Sequence, residues 1–226
     1  MIRRHLRFMS AKQRGSLRHW KDKMQGVPCF IIGNGPSLND EDISDLTNYF
    51  TIGINRSFLK IDSTILMWQD IELWYSERKN VTKQQSIKVC RHQADPQNKF
   101  FHFKLESSGF KLPKHPGILH GTGTTGPLAV QFAYAIGCNP IILLGMDCHH
   151  RGNATDFYGK NRYHKSHTMT NCKMGLKWIK NTVTDRDIIC CSANDFWPRT
   201  PLSEAIKSID QKWRKDRSYY AGLLGK

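Results

Sequence analysis

The sequence predicts an α/β domain built on a Rossmann-like, mainly parallel sheet with helices on both faces. Three observations carry that prediction. Several short runs, among them 27–32, 50–54 and 140–144, are continuously apolar rather than alternating, which is how strands buried on both faces read. Segments with helical spacing of apolar residues lie between such runs, the alternation expected of a covered parallel sheet. The runs also end in glycine or in polar residues, at the place where such sheets bind ligands. A chain of 226 residues suffices for one sizeable domain.

Residues 1–26 read as a basic N-terminal arm, partly helical, ahead of the fold. Residues 27–32 form a buried strand that ends in Gly33-Asn34-Gly35-Pro36-Ser37-Leu38, a two-glycine turn followed by a serine placed to cap a helix. Residues 39–46 form a short acidic helix or turn, with Ile43 and Leu46 three apart. A second strand, 50–54, ends at Asn55-Arg56; a third, 63–68, ends at Gln69-Asp70; residues 86–90 are a candidate fourth. The stretch 91–115 is polar and carries no period that assigns it. Gly121-Thr122-Gly123-Thr124-Thr125-Gly126 then opens an amphipathic helix over 127–136, with Pro127 in its first turn and Gly137 closing it. A further apolar strand, 140–144, precedes a helix over 168–181 that aligns Leu176, Ile179 and Val183 on one face. Residues 187–191 form the last strand and 202–213 the last helix, so the division is an arm (1–26), a Rossmann-like domain (27–200) and a basic C-terminal helix and tail (201–226).

Hydrophobic content of 39% and aromatic content of 11% are those of a globular core. The longest apolar stretches fall well short of the roughly 20 residues that span a bilayer. The charged N-terminus is not followed by the apolar segment of a secretory signal. The seven cysteines are odd in number and several sit within apolar runs, so they read as reduced core residues of a cytoplasmic protein. The formal net charge is +15, from 34 Lys and Arg against 19 Asp and Glu, which points to a polyanionic partner, nucleic acid or an anionic membrane surface. The excess concentrates at the ends. Arg3, Arg4, Arg7, Arg14 and Arg18 lie in the arm; Lys212, Arg214, Lys215 and Arg217 lie near the C-terminus among Trp213, Tyr219 and Tyr220. Both clusters are candidate contacts for phosphates, and both are also what two solvated basic helices would show.

Polar residues collect at the strand ends: Asn34 after the first strand, Asn55 after the second, Gln69-Asp70 after the third, and Asp147 after 140–144. A glycine turn at such an end presents backbone N–H groups where a phosphate binds. An asparagine just past a strand is often only a turn residue. Two of them, with an amide and two carboxylates at parallel positions, point to a ligand site built from these ends.

The Gly33-Asn34-Gly35-Pro36-Ser37-Leu38 turn, Asn55, and the block from Thr124-Thr125-Gly126 through Gly145-Met146-Asp147 resemble the bacterial sialyltransferases of the Campylobacter lipooligosaccharide type. They also resemble a wider set of related proteins that includes archaeal hydroxymethylpterin pyrophosphokinases. In those sialyltransferases a T-S-G turn opens a helix rich in small residues, followed by G, an apolar strand and G-I-D. This chain has T-T-G, the helix, Gly137, an apolar strand and G-M-D at the same spacing. Ser166-His167-Thr168 precedes a helix where that family has a G-H-S turn carrying its catalytic histidine. The resemblance spans roughly residues 28–200.

The resemblance implies a sheet of the GT-A type and a glycosyltransferase that uses a nucleotide-sugar donor, with 27–200 as its catalytic domain. Gly33, Asn34, Gly35 and Ser37 would contact the nucleotide. Asn55 and Gln69, with Arg56 and Asp70 beside them, would hold ribose and phosphate, and Thr124, Thr125 and Gly126 would grip base or ribose at the helix start. His167 would be the general base for the acceptor hydroxyl. Asp147 and Tyr158 join it as candidate catalytic residues, and His149 and Tyr163 as donor-binding ones.

The chain departs from that family in places. The family has Asn where Gln69 stands and Tyr where His149 stands, and either Tyr158 or Tyr163 would fill the second tyrosine position. Arg151, Lys160 and Arg162 crowd the same loop and could neutralise the leaving phosphate, so a donor other than sialic acid is expected. No cofactor is expected besides the nucleotide-sugar co-substrate. No D-x-D motif is present unless Asp70 and Glu72 imitate one, and Cys148, His149, His150, His164 and His167 match no common zinc spacing, so the transfer reads as metal-independent. From charge, the leading acceptor is DNA carrying a hydroxymethyl base, of the kind some phages glycosylate, flipped out to reach the pocket. Three alternatives stand beside it: a glycan or lipid-linked acceptor at an anionic membrane surface; an ATP- and Mg²⁺-dependent pyrophosphokinase with Asp70 and Asp147 as ligands; and a basic nucleic-acid-binding protein without activity.

Overall fold

The computed structural model describes residues 16–107, 109–121, 123–161 and 167–225. Arg3, Arg4, Arg7, Arg14 and Tyr163 lie outside the described residues. Eight strands form one sheet: β1 (Cys29–Ile32), β2 (Phe50–Ile54), β3 (Ile65–Trp68), β4 (Ile87–Arg91), β5 (Phe101–Glu106), β6 (Ile118–His120), β7 (Ile141–Leu144) and β8 (Ile188–Cys190). Every pairing is parallel and the order is β6-β5-β4-β3-β2-β1-β7-β8. The helices are α1 (Ile71–Lys83), α2 (Thr125–Ala135), α3 (Thr168–Thr182), α4 (Leu202–Lys207) and α5 (Arg217–Leu224). The fold is thus the α/β, Rossmann-like sheet that the apolar runs predict.

The continuous apolar runs have the cause assigned to them: successive residues bury on opposite faces. Cys29 and Ile31 of β1 join Ile52 of β2, Leu143 of β7 and residues of α2, α3 and α5 in one core. Phe30 and Ile32 turn the other way, onto Leu38, Leu46, Tyr49 and α4. Farther along that second face, Leu66, Trp68 and Cys90 pack against Leu73, Trp74 and Val81 of α1. Residues at both ends of the chain enter the first core: Leu17, Trp20 and Met24 from the N-terminal side, Tyr220 and Leu224 from α5.

Several elements differ from expectation. Residues 91–115 contain β5, which buries only Phe103 fully because it lies near the sheet edge, and β6 follows at the edge itself. Helix α1 buries only Leu73, Trp74 and Val81 and is otherwise polar, so its apolar stripe is faint in the sequence. The helix expected over 202–213 stops at Lys207; Asp210 then caps a short 3-10 turn, Gln211–Trp213, by accepting from the Lys212 N–H. The expectation that all cysteines are reduced is corrected at one pair. Cys148, in the loop after β7, and Cys172, on α3, form a disulfide with Cα atoms 5.9 Å apart, while the other five are buried and free. The pairing exists because α3 packs beside that loop, which chain spacing alone does not reveal. Among the described residues no helix is long and apolar enough to cross a membrane.

Candidate functional site

Strand order reverses between β1 and β7, and in open parallel sheets the crevice outside the carboxyl ends at that reversal is where ligands bind. The turns after these two strands are laced together. The Gly33 N–H donates to the Leu144 carbonyl at 2.7 Å and the Gly35 N–H to the Gly145 carbonyl at 2.8 Å. A Cβ on Gly33 would collide with the Gly145 carbonyl, and one on Gly35 would sit 2.6 Å from the Asp147 Cγ. Gly145 itself has φ of +59°, open to glycine at no cost. The glycines therefore permit two backbones to touch. Ser37 donates its N–H to Asp147 Oδ2 at 2.7 Å and its hydroxyl to Oδ1, so both carboxylate oxygens hold this turn.

From the reversal, polar side chains run in a row along the carboxyl edge. Asn34 is 8% exposed; its Nδ2 donates to the Ile54 carbonyl at 3.1 Å, and its Oδ1 is buried with no hydrogen-bond partner. Asn55, in the left-handed region at φ +49°, accepts from the Thr125 hydroxyl at 3.3 Å. Gln69 donates to the Gly123 carbonyl. Arg91, the last residue of β4, completes the row, which spans about 15 Å at the usual spacing of neighbouring strands.

Helix α2 starts against this row. Thr124 occupies its N-cap position without a side-chain capping bond, and the Thr124 hydroxyl is buried with no partner. First-turn N–H groups at a helix start favour an anion. Gly126 has a packing role, since a Cβ there would meet Met146 Sδ at 2.9 Å.

At the β4 end the row opens into a cleft of about 370 Å³ whose lining includes Gln69, Asp70, Arg91, Phe110, Gly123 and His167. His167 stands at the N-cap position of α3 and is exposed. Arg91 makes no ion pair among the described residues, and its Nε is buried without a hydrogen-bond partner. A guanidinium and an exposed imidazole in one cleft suit an anionic ligand. Asp70 is the one carboxylate lining the cleft among the described residues.

The loop after Asp147 folds back over the first turn. The Phe157 N–H donates to the Asn34 carbonyl at 2.7 Å, which sets Tyr158 next to Arg56: the guanidinium lies 5.8 Å from the centre of the phenol ring. Burial, reinforced by the charge of Asp156, pushes the Tyr158 hydroxyl up to about 12. It therefore stays protonated and able to donate. Arg56 is also held by Glu77, Nε to Oε1 at 3.0 Å. His149 is exposed, its Nδ1 3.1 Å from the Asp147 carbonyl oxygen.

The basic C-terminal segment is held down by the body of the domain. Arg214 grips Asp45 through two nitrogens and Arg217 reaches Asp62 at 2.6 Å, while Lys212 pairs within the segment, with Asp210 at 2.9 Å. Arg18 and Lys215 are exposed. Unopposed positive charge lies elsewhere, in a groove of about 690 Å³ whose lining includes Trp74, Arg78, Lys79, Lys83, Lys99 and Phe100. None of its four cations has a carboxylate partner among the described residues, and Arg78 stacks on Trp74 at 5.6 Å. Sequence reasoning missed this groove and, in the cleft, Arg91 and Phe110. The run of Arg78, Lys79 and Lys83 along a helix was the available signal for the groove. Arg91 had none, since it closed a strand whose end was misplaced by one residue.

No family model matches the chain, and no curated protein matches it. Among solved structures, it is similar to the sialyltransferase CstII from Campylobacter jejuni in complex with cytidine-5'-monophosphate, at 14% identity, with 85% of this chain and 86% of that chain covered and a TM-score of 0.46. It is similar also to the same enzyme in complex with CMP-3FNeuAc, at 15% identity, with 84% and 86% covered and a TM-score of 0.43.

Proposed function

We propose that this chain is a glycosyltransferase that moves a sugar from a nucleotide-sugar donor to an acceptor hydroxyl, with His167 as general base. The observation that carries the reading is the polar row itself. At one end it offers a buried, unpartnered acceptor, Asn34 Oδ1; along it lies the uncapped start of α2; at the other end are an exposed histidine and Arg91, which has no ion pair among the described residues. A row of about 15 Å matches a nucleoside, phosphate and sugar laid end to end. The neutral imidazole takes the proton of the attacking hydroxyl while the sugar–phosphate bond breaks, and the electrons of that bond leave on the nucleotide phosphate. N–H groups of α2, Arg91 and the protonated Tyr158 are the groups available to stabilise that charge.

The rival pyrophosphokinase reading needs Asp70 and Asp147 on one Mg²⁺. Asp147, in the turn after β7, instead gives both its oxygens to Ser37 and lies on the far side of β1 from the cleft that Asp70 lines. That occupancy favours a metal-independent transfer.

The acceptor we propose is a hydroxymethyl base in DNA. Supporting it is the cationic and aromatic groove along α1, the helix whose N-cap, Asp70, lines the cleft. Phosphates would lie on Arg78, Lys79, Lys83 and Lys99 while the modified base enters the cleft. The test incubates the full chain with CMP-, UDP- and GDP-sugars and follows nucleotide release with and without hydroxymethylated duplex DNA. Release that depends on that DNA is expected. If no nucleotide sugar binds or is consumed, the enzymatic reading fails; release that needs a glycan and ignores DNA overturns the acceptor alone.

A further inference from the structure

We propose that Cys90, Asp95 and His102 form a zinc site that pins the β4–β5 crossover, with His92 completing the coordination. The three side chains offer one thiol sulfur, one carboxylate oxygen and one imidazole nitrogen, all within 4.8 Å of one another. The sheet itself sets two of them side by side: Cys90 and His102 are direct partners in the parallel register of β4 and β5. Asp95 arrives from the short crossover, just after the 3-10 turn His92–Ala94. The His92 ring meets that of His102 with centroids 5.0 Å apart, so a rotation of this exposed side chain can bring it in as a fourth ligand.

Without a cation the cluster is incompletely satisfied. Asp95 is 4% exposed; its Oδ2 accepts from the N–H groups of Lys99 and Phe100 and lies 3.0 Å from His102 Nε2. Its Oδ1 is buried with no partner at all. The thiol of Cys90 is fully buried, with its sulfur within 4.8 Å of that carboxylate. Both groups gain when a divalent cation sits among them: the orphan oxygen or its neighbour gains a ligand bond, and the thiolate gains a counter-charge. On binding, the thiol proton is released to solvent, and His102 binds as neutral imidazole.

The donor set selects the metal. Sulfur and imidazole with a single carboxylate suit zinc, whereas magnesium and calcium need shells of oxygen. A bound ion would lock the end of β4, and Arg91, the next residue, lines the cleft. The site is independent of the proposed sugar transfer, so either can fail without the other.

The test uses the full chain stripped with a chelator and dialysed, then titrated with Zn²⁺ against a chromophoric chelator. One equivalent should bind in wild type. In Cys90→Ser and His102→Ala affinity should fall by more than the roughly 10–100-fold that loss of a second-shell partner costs. Co²⁺ in its place should give a thiolate-to-cobalt charge-transfer band in wild type that Cys90→Ser lacks. The wild-type spectrum needs no variant to fold, and Asp95→Asn keeps an acceptor for the Lys99 and Phe100 N–H groups while weakening the metal. No stoichiometric Zn²⁺ binding, binding unchanged in the Cys90 and His102 variants, or a cobalt spectrum without the thiolate band each overturns the proposal.

Discussion

Ser37 and Asp147, 110 residues apart in sequence, are joined by two hydrogen bonds, one from the serine N–H and one from its hydroxyl, to the two carboxylate oxygens. Asp147 is 3% exposed, and the pair sits where the turns after β1 and β7 meet at the strand-order reversal. It holds in place the turn that carries Asn34. Asp147→Ala should therefore destabilise the fold by about 2–3 kcal/mol, the range for hydrogen bonds to a buried charge left unmade. Chemical denaturation measures it. A variant of wild-type stability that has lost turnover would instead assign the carboxylate a direct part in the reaction.

Much of the architecture was legible for one reason: strands buried on both faces hold few polar residues, so β2 and β7 stand out at almost their true bounds. The turn chemistry was equally open. Gly33, Gly35 and Gly145 mark the place where two backbones touch, and Pro127 with Gly137 brackets most of α2. What stayed hidden depends on partners distant in sequence. Strand β5 reads Phe-His-Phe-Lys-Leu-Glu, half polar because it lies next to the sheet edge. Arg91 matters only because Phe110, Gly121 and His167 close a cleft around it, and the Cys148–Cys172 bond only because α3 packs on the Asp147 loop. The C-terminal cations looked like a free patch because the carboxylates that hold them, Asp45 and Asp62, lie more than a hundred residues earlier.

Asp62 predicts a pH dependence of stability. Burial raises its pKa, but hydrogen bonds from Ser86, Arg217 and the Gln85 N–H, together with the Arg217 charge, outweigh that, and the net shift is downward. A carboxylate depressed in the folded state stabilises it above the unfolded value of about 3.9, and that contribution disappears as pH falls through the lower folded value. Denaturation midpoints followed from pH 6 downward should fall more steeply, below about pH 4, in wild type than in Asp62→Asn. Parallel curves for the two proteins would show that the Arg217–Asp62 contact does not stabilise the fold.

The proposed DNA acceptor would lie along the groove on α1. If phosphates lie on Arg78, Lys79, Lys83 and Lys99, the double variant Lys79→Ala/Lys83→Ala should reduce the slope of log affinity against log salt by about 2. Lys212→Ala/Lys215→Ala should change it less, because Lys212 already holds Asp210 at 2.9 Å. Fluorescence anisotropy of a labelled duplex across a salt series gives both slopes. Equal losses from the two pairs would place the contact elsewhere.

Arg91 and His167 line the same cleft and should fail in different ways. Among the described residues Arg91 has no ion pair and its buried Nε no partner, so Arg91→Gln removes no bond to them and should leave thermal stability unchanged or slightly raised. Its loss should appear in the donor, weakening nucleotide-sugar binding by roughly 10–100-fold, the worth of one charge-assisted contact to phosphate. His167 is exposed and, in the proposed reaction, acts on the acceptor hydroxyl and not on the donor, so His167→Ala should bind the nucleotide sugar as wild type does while turnover drops by roughly 10²–10⁴-fold. Equilibrium donor titration beside steady-state rates separates the two effects. If His167→Ala keeps its rate, another group takes the acceptor proton; if Arg91→Gln binds every donor normally, the phosphate lies elsewhere along the row, nearer the start of α2.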